Sequence, residues 1–426
     1  MTISTAMESR EPVVLQRAEH PISRSKIDPD ALKVLYRLYR NGFTASLVGG
    51  AVRDILLGKK PKDFDVVTDA RPAQVKKLFG NCMLIGRRFR LAHIRFKGGK
   101  IIEVATFRKE PQETDGSEEA VDPNTSFGTP QEDAFRRDLT INALFYDISS
   151  FTIIDYVGGL EDLRTGTVRM IGDPRERYVE DPVRMWRVLR HAARLGFSIE
   201  EKTAREIEQN RGLLCACSGA RLYEELNKDI DSGFFYAVLR LFRDYGVLPC
   251  LIGKVGSFLQ ETPGAFDALG ALVGAADDRA RSGKPLSREA VLSLMLWPWA
   301  DHLLKDRQAA GDDKIKVLHD ALFDAGMSVT IPKTVKANII QILYIVERMR
   351  AAMESGRMKW SLRKRSRYPE ASMVFSIVSG RGVVDPQDPF AKIFREAHPE
   401  ARVLRGRKRR PSRRRRGRGK AAPGTP

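Results

Sequence analysis

Asp63-Phe64-Asp65 sets two carboxylates at i and i+2, which on a β-strand project from one face. Carboxylates held side by side away from water repel, and a cation between them relieves the repulsion. Hard oxygen donors select magnesium, which completes its shell with water and phosphate oxygens. Taken alone, the pair reads equally well as an exposed acidic patch. Upstream, Gly49-Gly50-Ala51-Val52-Arg53-Asp54 has the form of a glycine turn opening into a helix, whose free N–H groups can cradle a phosphate while Arg53 adds charge. Glycine turn, helix and D-x-D strand together bring an anion grip and metal ligands to one sheet edge, the arrangement phosphoryl transfer needs. A third carboxylate would complete the set. Glu103, on the apolar stretch 101–107, and Asp138, in Arg136-Arg137-Asp138-Leu139-Thr140-Ile141-Asn142-Ala143, both qualify. Spacing leaves that choice open: Asp138 has two arginines beside it, and Glu103 can equally pair with Arg108.

The chain pattern supplies elements to hold these residues. Asp28-Pro29 predicts a helix start, with Leu32, Leu35, Leu38 and Tyr39 as its apolar face and Asn41-Gly42 as its stop. Residues 43–48 and 64–67 predict strands, and 51–57 and 72–79 predict helices. Residues 91–96 and 101–107 flank Gly98-Gly99 as an antiparallel hairpin. Residues 109–129, rich in Glu, Asp, Pro, Ser, Thr and Gly, predict a mobile loop. From Asp181 the spacing turns helical, with segments at 181–195, 201–210, 220–231 and 234–245, and helices continue to about Met353. Residues 359–368 are basic, with Trp360 and Tyr368 interleaved.

Of 426 residues, 73 are Lys or Arg and 54 Asp or Glu, a formal charge of +19. Residues 401–426 hold 12 of the basic residues and no acidic one, which leaves 61 against 54, or +7, for the rest. A tail of that composition predicts disorder and a polyanionic partner. With 42% apolar residues the remainder can bury ordinary cores, which excludes collagen-like, wholly disordered and disulfide-scaffold classes. The four cysteines, Cys82, Cys215, Cys217 and Cys250, lack zinc-ligand spacing and suit a reducing compartment. No segment has the pattern of a signal peptide or a membrane span, so a cytoplasmic protein is expected.

In order and spacing, Gly49 to Asp54, Asp63-Phe64-Asp65-Val66, Arg136 to Ala143 and Glu180-Asp181-Pro182-Val183-Arg184 resemble the successive motifs of the class II nucleotidyltransferases. That family holds the bacterial tRNA CCA-adding enzymes and the bacterial poly(A) polymerases. The likeness is good over about Ser25 to Tyr245 and loose beyond. It implies an α+β fold: a polymerase-beta-like nucleotidyltransferase head, with a small mixed sheet and helices, then all-helical neck and body domains and a disordered basic tail. The corresponding segments are a flexible N-terminus (1–25), catalytic head (26–170), nucleotide-recognition neck (171–245), RNA-binding body (246–385) and arginine-rich tail (386–426).

Carried over by position, the resemblance makes Asp63 and Asp65 metal-binding catalytic carboxylates and places Asp138 in the catalytic set in preference to Glu103. Gly49, Gly50, Arg53, Arg137 and Asn142 would face the triphosphate. Asp181 and Arg184, one helical turn apart and so on one face, would read the Watson–Crick edge of the incoming base, with Arg187 and Arg190 continuing the stripe. Without the upstream motifs this stripe would be read as a solvated basic face. Arg221, Glu224 and Glu225 are weaker pocket candidates, and His93 and His191 are expected to be structural. The implied reaction is attack of an RNA 3′-hydroxyl on the α-phosphate of ATP with release of pyrophosphate, assisted by two Mg2+ ions.

Within the family, residues 84–94 (Leu-Ile-Gly-Arg-Arg-Phe-Arg-Leu-Ala-His-Ile) resemble a stretch that marks poly(A) polymerases. The tail, with Arg409, Arg410, Arg413, Arg414, Arg415 and Arg416 as RNA contacts, resembles their arginine-rich ends. The expectation is therefore polyadenylation of RNA 3′ ends by a monomer, with RNA, ATP and RNA-decay machinery as partners and no membrane. CCA addition is the alternative within the family, and a non-catalytic RNA-binding protein the alternative of another class.

Overall fold

In the computed structural model of the chain, which describes residues 11–86, 91–109, 127–306, 313–380 and 388–399, Asp28 starts the helix α1 (Pro29–Arg40) as its sequence predicts. Its Oδ1 accepts from the backbone N–H of Asp30 at 2.8 Å and of Ala31 at 3.4 Å, and Ala31, Val34, Leu35 and Leu38 form the buried face. The chain divides into two compact units. One gathers the described residues up to Pro263 with Gly326–Ile331, and the other takes the described residues of Gly264–Ala325 and those from Pro332 on. Segments expected as head and neck thus share one unit.

The first unit holds an eight-stranded sheet in the order β1-β8-β7-β2-β3-β6-β5-β4. Its strands are β1 (Val13–Leu15), β2 (Ala45–Val48), β3 (Asp65–Thr68), β4 (Cys82–Ile85), β5 (Leu91–Arg95), β6 (Ile101–Thr106), β7 (Leu144–Asp147) and β8 (Ile153–Asp155). Neighbours are antiparallel except β3 and β6, which run parallel. β2 is central and buried along its length. On one face Leu35, Leu38, Leu47, Val66, Ile102 and Val104 join a large core, and on the other Val48, Val67, Phe107, Ala134, Phe145 and Ile171 form a smaller one. Strand alternation therefore sets Asp65 on the face of Val67, over the smaller core.

Several expectations change. The segment 1–25, expected to be flexible, supplies β1, which pairs with β8, and Ile22, which is fully buried; a three-residue edge strand is too short to show periodicity. Asp63 precedes β3 instead of lying in it. Cys215 and Cys250 form a disulfide with Cα atoms 5.4 Å apart, where the sequence suggested free thiols; the turn 211–216 packs on the start of a later helix and brings them together. Residues 110–126 of the expected loop, Arg87 to Arg90 of the polymerase-like stretch and Arg409, Arg410 and Arg413 to Arg416 of the tail lie outside the described residues.

The short helices α2 (Gly50–Leu56), α3 (Pro72–Leu78) and α4 (Pro130–Phe135) complete the sheet region, followed by α5 (Gly159–Thr165). α5 carries the turn Thr140–Asn142. Asp155 receives the N–H groups of Val157, Gly158, Gly159 and Leu160 at 2.8–3.1 Å, and Asp162 accepts from Thr140 Oγ1 at 2.6 Å. Gly159 packs so closely that a Cβ would lie 2.2 Å from the Thr140 carbonyl oxygen. Gly159→Ala is expected to lower stability by about 1–3 kcal/mol, read as a lower melting temperature, because the turn bearing Asn142 must move.

Helices then dominate: α6 (Pro174–Glu180), α7 (Val183–Leu195), α8 (Glu201–Asn210), α9 (Gly219–Ile230), α10 (Phe235–Asp244) and α11 (Leu248–Glu261), with the two-residue strands β9 (Thr167–Val168) before α6 and β10 (Ser198–Ile199) between α7 and α8. Among the described residues the second unit holds helices and no strand: α12 (Ala265–Arg281), α13 (Arg288–Asp306), α14 (Asp313–Phe323), α15 (Lys333–Ser355), α16 (Tyr368–Val378) and α17 (Pro389–Ala397). Its centre is α15, whose Ile339, Ile342, Leu343, Val346 and Met349 are buried.

Candidate active site

β2 ends at Gly49, whose φ of +72° suits glycine alone without strain, and the chain turns there into α2. Gly49 faces Arg137 Nη1 and the Asn142 carbonyl, so the glycine turn and the Arg136–Ala143 motif meet. Arg137 donates from Nε (3.1 Å) and Nη2 (2.9 Å) to Asp133 and stacks over Phe145 at 5.4 Å. Asp133 also takes Arg136. Its spacing of three and four residues from these arginines is a helix-pair signal legible in the sequence.

The sheet register brings Asp65 beside Glu103 on the parallel strand β6, and Glu103 beside His93 on β5. His93 Nε2 lies 3.4 Å from Glu103 Oε1. Burial, then the charges of Glu103 and Asp63, raise the Asp65 pKa to about 6 against the opposing charge of Arg137. Asp65 keeps an exposed face, so water screens part of this repulsion. Among the described residues neither the Asp63 nor the Asp65 side chain has a hydrogen-bond or ion-pair partner. Nor do three acidic, His or Cys side chains there form a closed cation cage. An unneutralised carboxylate pair without a cage fits magnesium, which binds through one or two carboxylates and takes its other ligands from water and phosphate.

Asp138 stands elsewhere. It is 8% exposed, Oδ1 accepts from the Leu139 N–H at 2.9 Å, and Oδ2 lies 3.0 Å from Arg187 Nε in poor hydrogen-bond alignment. Burial would raise its pKa, but Arg187 and the Leu139 N–H hold it below the usual carboxylate range. Burial and the Arg53 charge lower the pKa of His191 beside it well below the ordinary value. Strand pairing sets the side chains of Glu103 and Asp65 on one face, whereas Asp138 meets Arg187.

Arg53 departs from expectation too. It is 4% exposed and donates to Asp54 at 2.7 and 2.9 Å and to Asn142 Oδ1 at 2.7 Å, with Nη1 3.3 Å from His191 Nδ1. A buried guanidinium must be paired, so Arg53 orients Asn142 and His191 instead of offering free charge to a phosphate. Arg190 is buried as well, and its guanidinium binds Asp229, Glu225 and the Glu225 carbonyl, tying α7 to α9. Trp186 Nε1 donates to the same Asp229 at 2.6 Å.

Asp181 precedes α7 and accepts from the Val183 N–H at 3.2 Å and from Arg221 Nη2 at 2.7 Å. Arg184 pairs with Glu180 and donates to the Arg177 carbonyl. Arg187 remains partly exposed at the Asp138 end of the same helix. Sequence reasoning missed Arg177, whose Nη2 donates to the carbonyls of Arg136 and Arg137 at 2.7 and 2.8 Å. It locks the central motif to α6 across 40 residues of sequence, a separation at which local spacing carries no signal.

Two family descriptions match the chain: "Poly A polymerase head domain" over residues 45–169 and "Probable RNA and SrmB- binding site of polymerase A" over 196–253. Poly(A) polymerase I of Salmonella typhimurium is 40% identical over 390 residues, covering 87% of this chain and 82% of its own. The CCA-adding enzyme of Bacillus pumilus is 34% identical over 285 residues, 66% of this chain and 69% of its own. Among solved structures, the Bacillus stearothermophilus CCA-adding enzyme in complex with CTP superposes with a TM-score of 0.61 at 25% identity, covering 87% of this chain and 82% of that one.

Proposed function

Because the chain belongs to the poly(A) polymerase family, which shares its head fold with the CCA-adding enzymes, we propose that it is a polynucleotide adenylyltransferase that extends RNA 3′ ends without a template. The carrying observation is the 40% identity to a poly(A) polymerase over 87% of the chain, against 34% over 66% for a CCA-adding relative. The RNA 3′-hydroxyl oxygen bonds to the α-phosphorus of ATP and gives up its proton, while the bond to the bridging oxygen breaks and pyrophosphate leaves.

Each side chain has a part in this reading. Asp63 and Asp65 would hold Mg2+, which when bound lowers the hydroxyl pKa and neutralises charge on the leaving group. Glu103 strengthens the negative field on the Asp65 face. Arg137, steadied by Asp133 and close enough to oppose the Asp65 shift, places positive charge beside the triphosphate, with Gly49 and Gly50 leaving room for it. Asp138 positions Arg187, and Arg53 positions Asn142. Asp181 can accept from the adenine amino group and Arg184 can donate to a ring nitrogen, with Arg221 and Glu180 holding the two side chains in the free protein.

Incubation with a generic RNA and each of ATP and CTP tests the reaction: adenylate tails on any RNA are expected. CTP incorporation confined to tRNA lacking CCA would instead establish the CCA-adding activity. Asp181→Ala with Arg184→Ala is expected to reduce the preference for ATP over CTP roughly tenfold or more, since one well-formed base contact pair is worth about 1–3 kcal/mol of discrimination. The ratio of kcat/KM for the two nucleotides measures it.

The domain roles follow in the same reading: residues 26–170 as catalytic head, 171–245 as nucleotide-recognition neck, and 246–385 with the tail for RNA. No helix among the described residues is long and apolar enough to cross a membrane. We place the protein in the cytoplasm as a monomer, acting on RNA with the decay machinery.

A further inference from the structure

In the second unit the C-terminal half of α15 and the chain after it enclose a cavity of about 450 Å³, lined by Tyr344, Arg348, Ser355, Arg357, Lys359 and Arg365 among others, none of them acidic. Nearby cations are neutralised: Arg350 by Asp301 and Glu347, Arg363 by Asp388, and Arg367 by Glu370. Among the described residues, by contrast, no ion pair joins Arg348, Arg357, Lys359 or Arg365 to an acid. Four cations around one acid-free cleft concentrate positive potential and favour a polyanion. The Ser355 hydroxyl at the wall donates to the Ala351 carbonyl at 2.8 Å, so the cations alone face a ligand there.

The cleft is built for phosphate and not for bases. Tyr344, its aromatic residue, is 6% exposed, and the Arg365 guanidinium covers its ring at 5.1 Å, so no base can stack there. Arg357, Lys359 and Arg365 are exposed and free to meet successive phosphodiesters. Recognition by charge alone is indifferent to sequence, as an enzyme accepting varied 3′ ends requires.

We propose that this cleft binds the phosphodiester backbone of the RNA substrate, sequence-independently, on a part of the strand away from the reacting 3′ end. The proposal rests on the reading of the chain as an RNA-extending enzyme. It concerns residues outside both matched family segments and separate from the arginine-rich tail.

The test uses the full chain and the variant R357Q/K359Q/R365Q. With a 3′-blocked oligoadenylate of ~20 nucleotides, the slope of log affinity against log salt should become shallower by about 2, at ~0.7 per single-strand phosphate contact, and affinity should fall on the order of 50-fold at ~0.15 M salt. The charge-preserving R357K/R365K should keep the wild-type slope. On a primer of ~6 nucleotides, too short to fill two sites, kcat and the KM for ATP should stay unchanged, while the KM for the long RNA rises. An unchanged slope for the triple variant overturns the proposal. So does lost binding to phosphatidylserine vesicles without a change in RNA slope, which would assign the cleft to a membrane, and so does a fall in kcat on the short primer. A wild-type protein that extends no primer at all refutes the enzymatic reading instead, and does so without reference to these variants.

Discussion

Asp65→Asn is expected to reduce AMP incorporation by about 10³-fold or more, the loss that follows when several kcal/mol of charge stabilisation at the transferring phosphate disappears. The same substitution should leave the melting temperature unchanged or slightly higher. Burial and the charges of Glu103 and Asp63 raise the Asp65 pKa to about 6, so the free protein holds a repulsive arrangement that a neutral amide removes. Loss of rate without loss of stability is the signature of a residue kept for chemistry, and parallel measurement of incorporation rate and thermal unfolding reads both quantities. Glu103→Gln should lower kcat at least ~10-fold, as expected for a carboxylate on the Asp65 face. Asp138→Asn should act mainly on the KM for ATP by loosening Arg187. A wild-type rate for Glu103→Gln together with a dead Asp138→Asn would favour Asp138 over Glu103 in the catalytic set.

Asp229→Ala is expected to destabilise the first unit by about 3–5 kcal/mol, the range for breaking a buried ion pair on one side only. Asp229 is fully buried and accepts from both Trp186 Nε1 and Arg190 Nε. Its removal leaves an indole donor unsatisfied and a buried guanidinium with Glu225 as its remaining carboxylate. The melting temperature should drop by roughly 10 °C. Asp229→Asn, which keeps an acceptor for Trp186, should be milder. If Asp229→Ala cost less than ~1 kcal/mol, water would have to reach the site and stabilise Arg190 in place of the carboxylate. The network has a functional bearing, because Asp181, Arg184 and Arg187 stand on or beside the same helix α7 that Arg190 and Trp186 fasten.

Much of the site could be read directly from the chain. The Asp63-Phe64-Asp65 pair, the glycine turn at Gly49 and the Arg137 to Asn142 motif are local patterns, and the structure gathers all three. The Asp28 cap and the hairpin turn at Gly98 and Gly99 are local as well, which is why those elements agree within a residue or two. What spacing misjudged were the partners of charged side chains. Arg53 and Arg190 look like phosphate or base contacts in a basic stripe, yet Asn142 is 89 residues from Arg53 and Asp229 is 39 from Arg190. No periodicity within a helix reports such pairs.

The sequence by itself therefore determined the chemistry available to this protein: which residue types it holds, that its motifs belong to a nucleotidyltransferase, and that its surplus positive charge calls for a polyanion. Those are properties of neighbours along the chain, set by side-chain type and local backbone geometry. Only the tertiary structure decided which carboxylate stands beside Asp65, which arginines are free and which are bound, and where an acid-free cationic cleft opens in the second unit. Register between strands and contact between helices fix those outcomes, and both depend on how distant segments are brought together when the apolar faces bury.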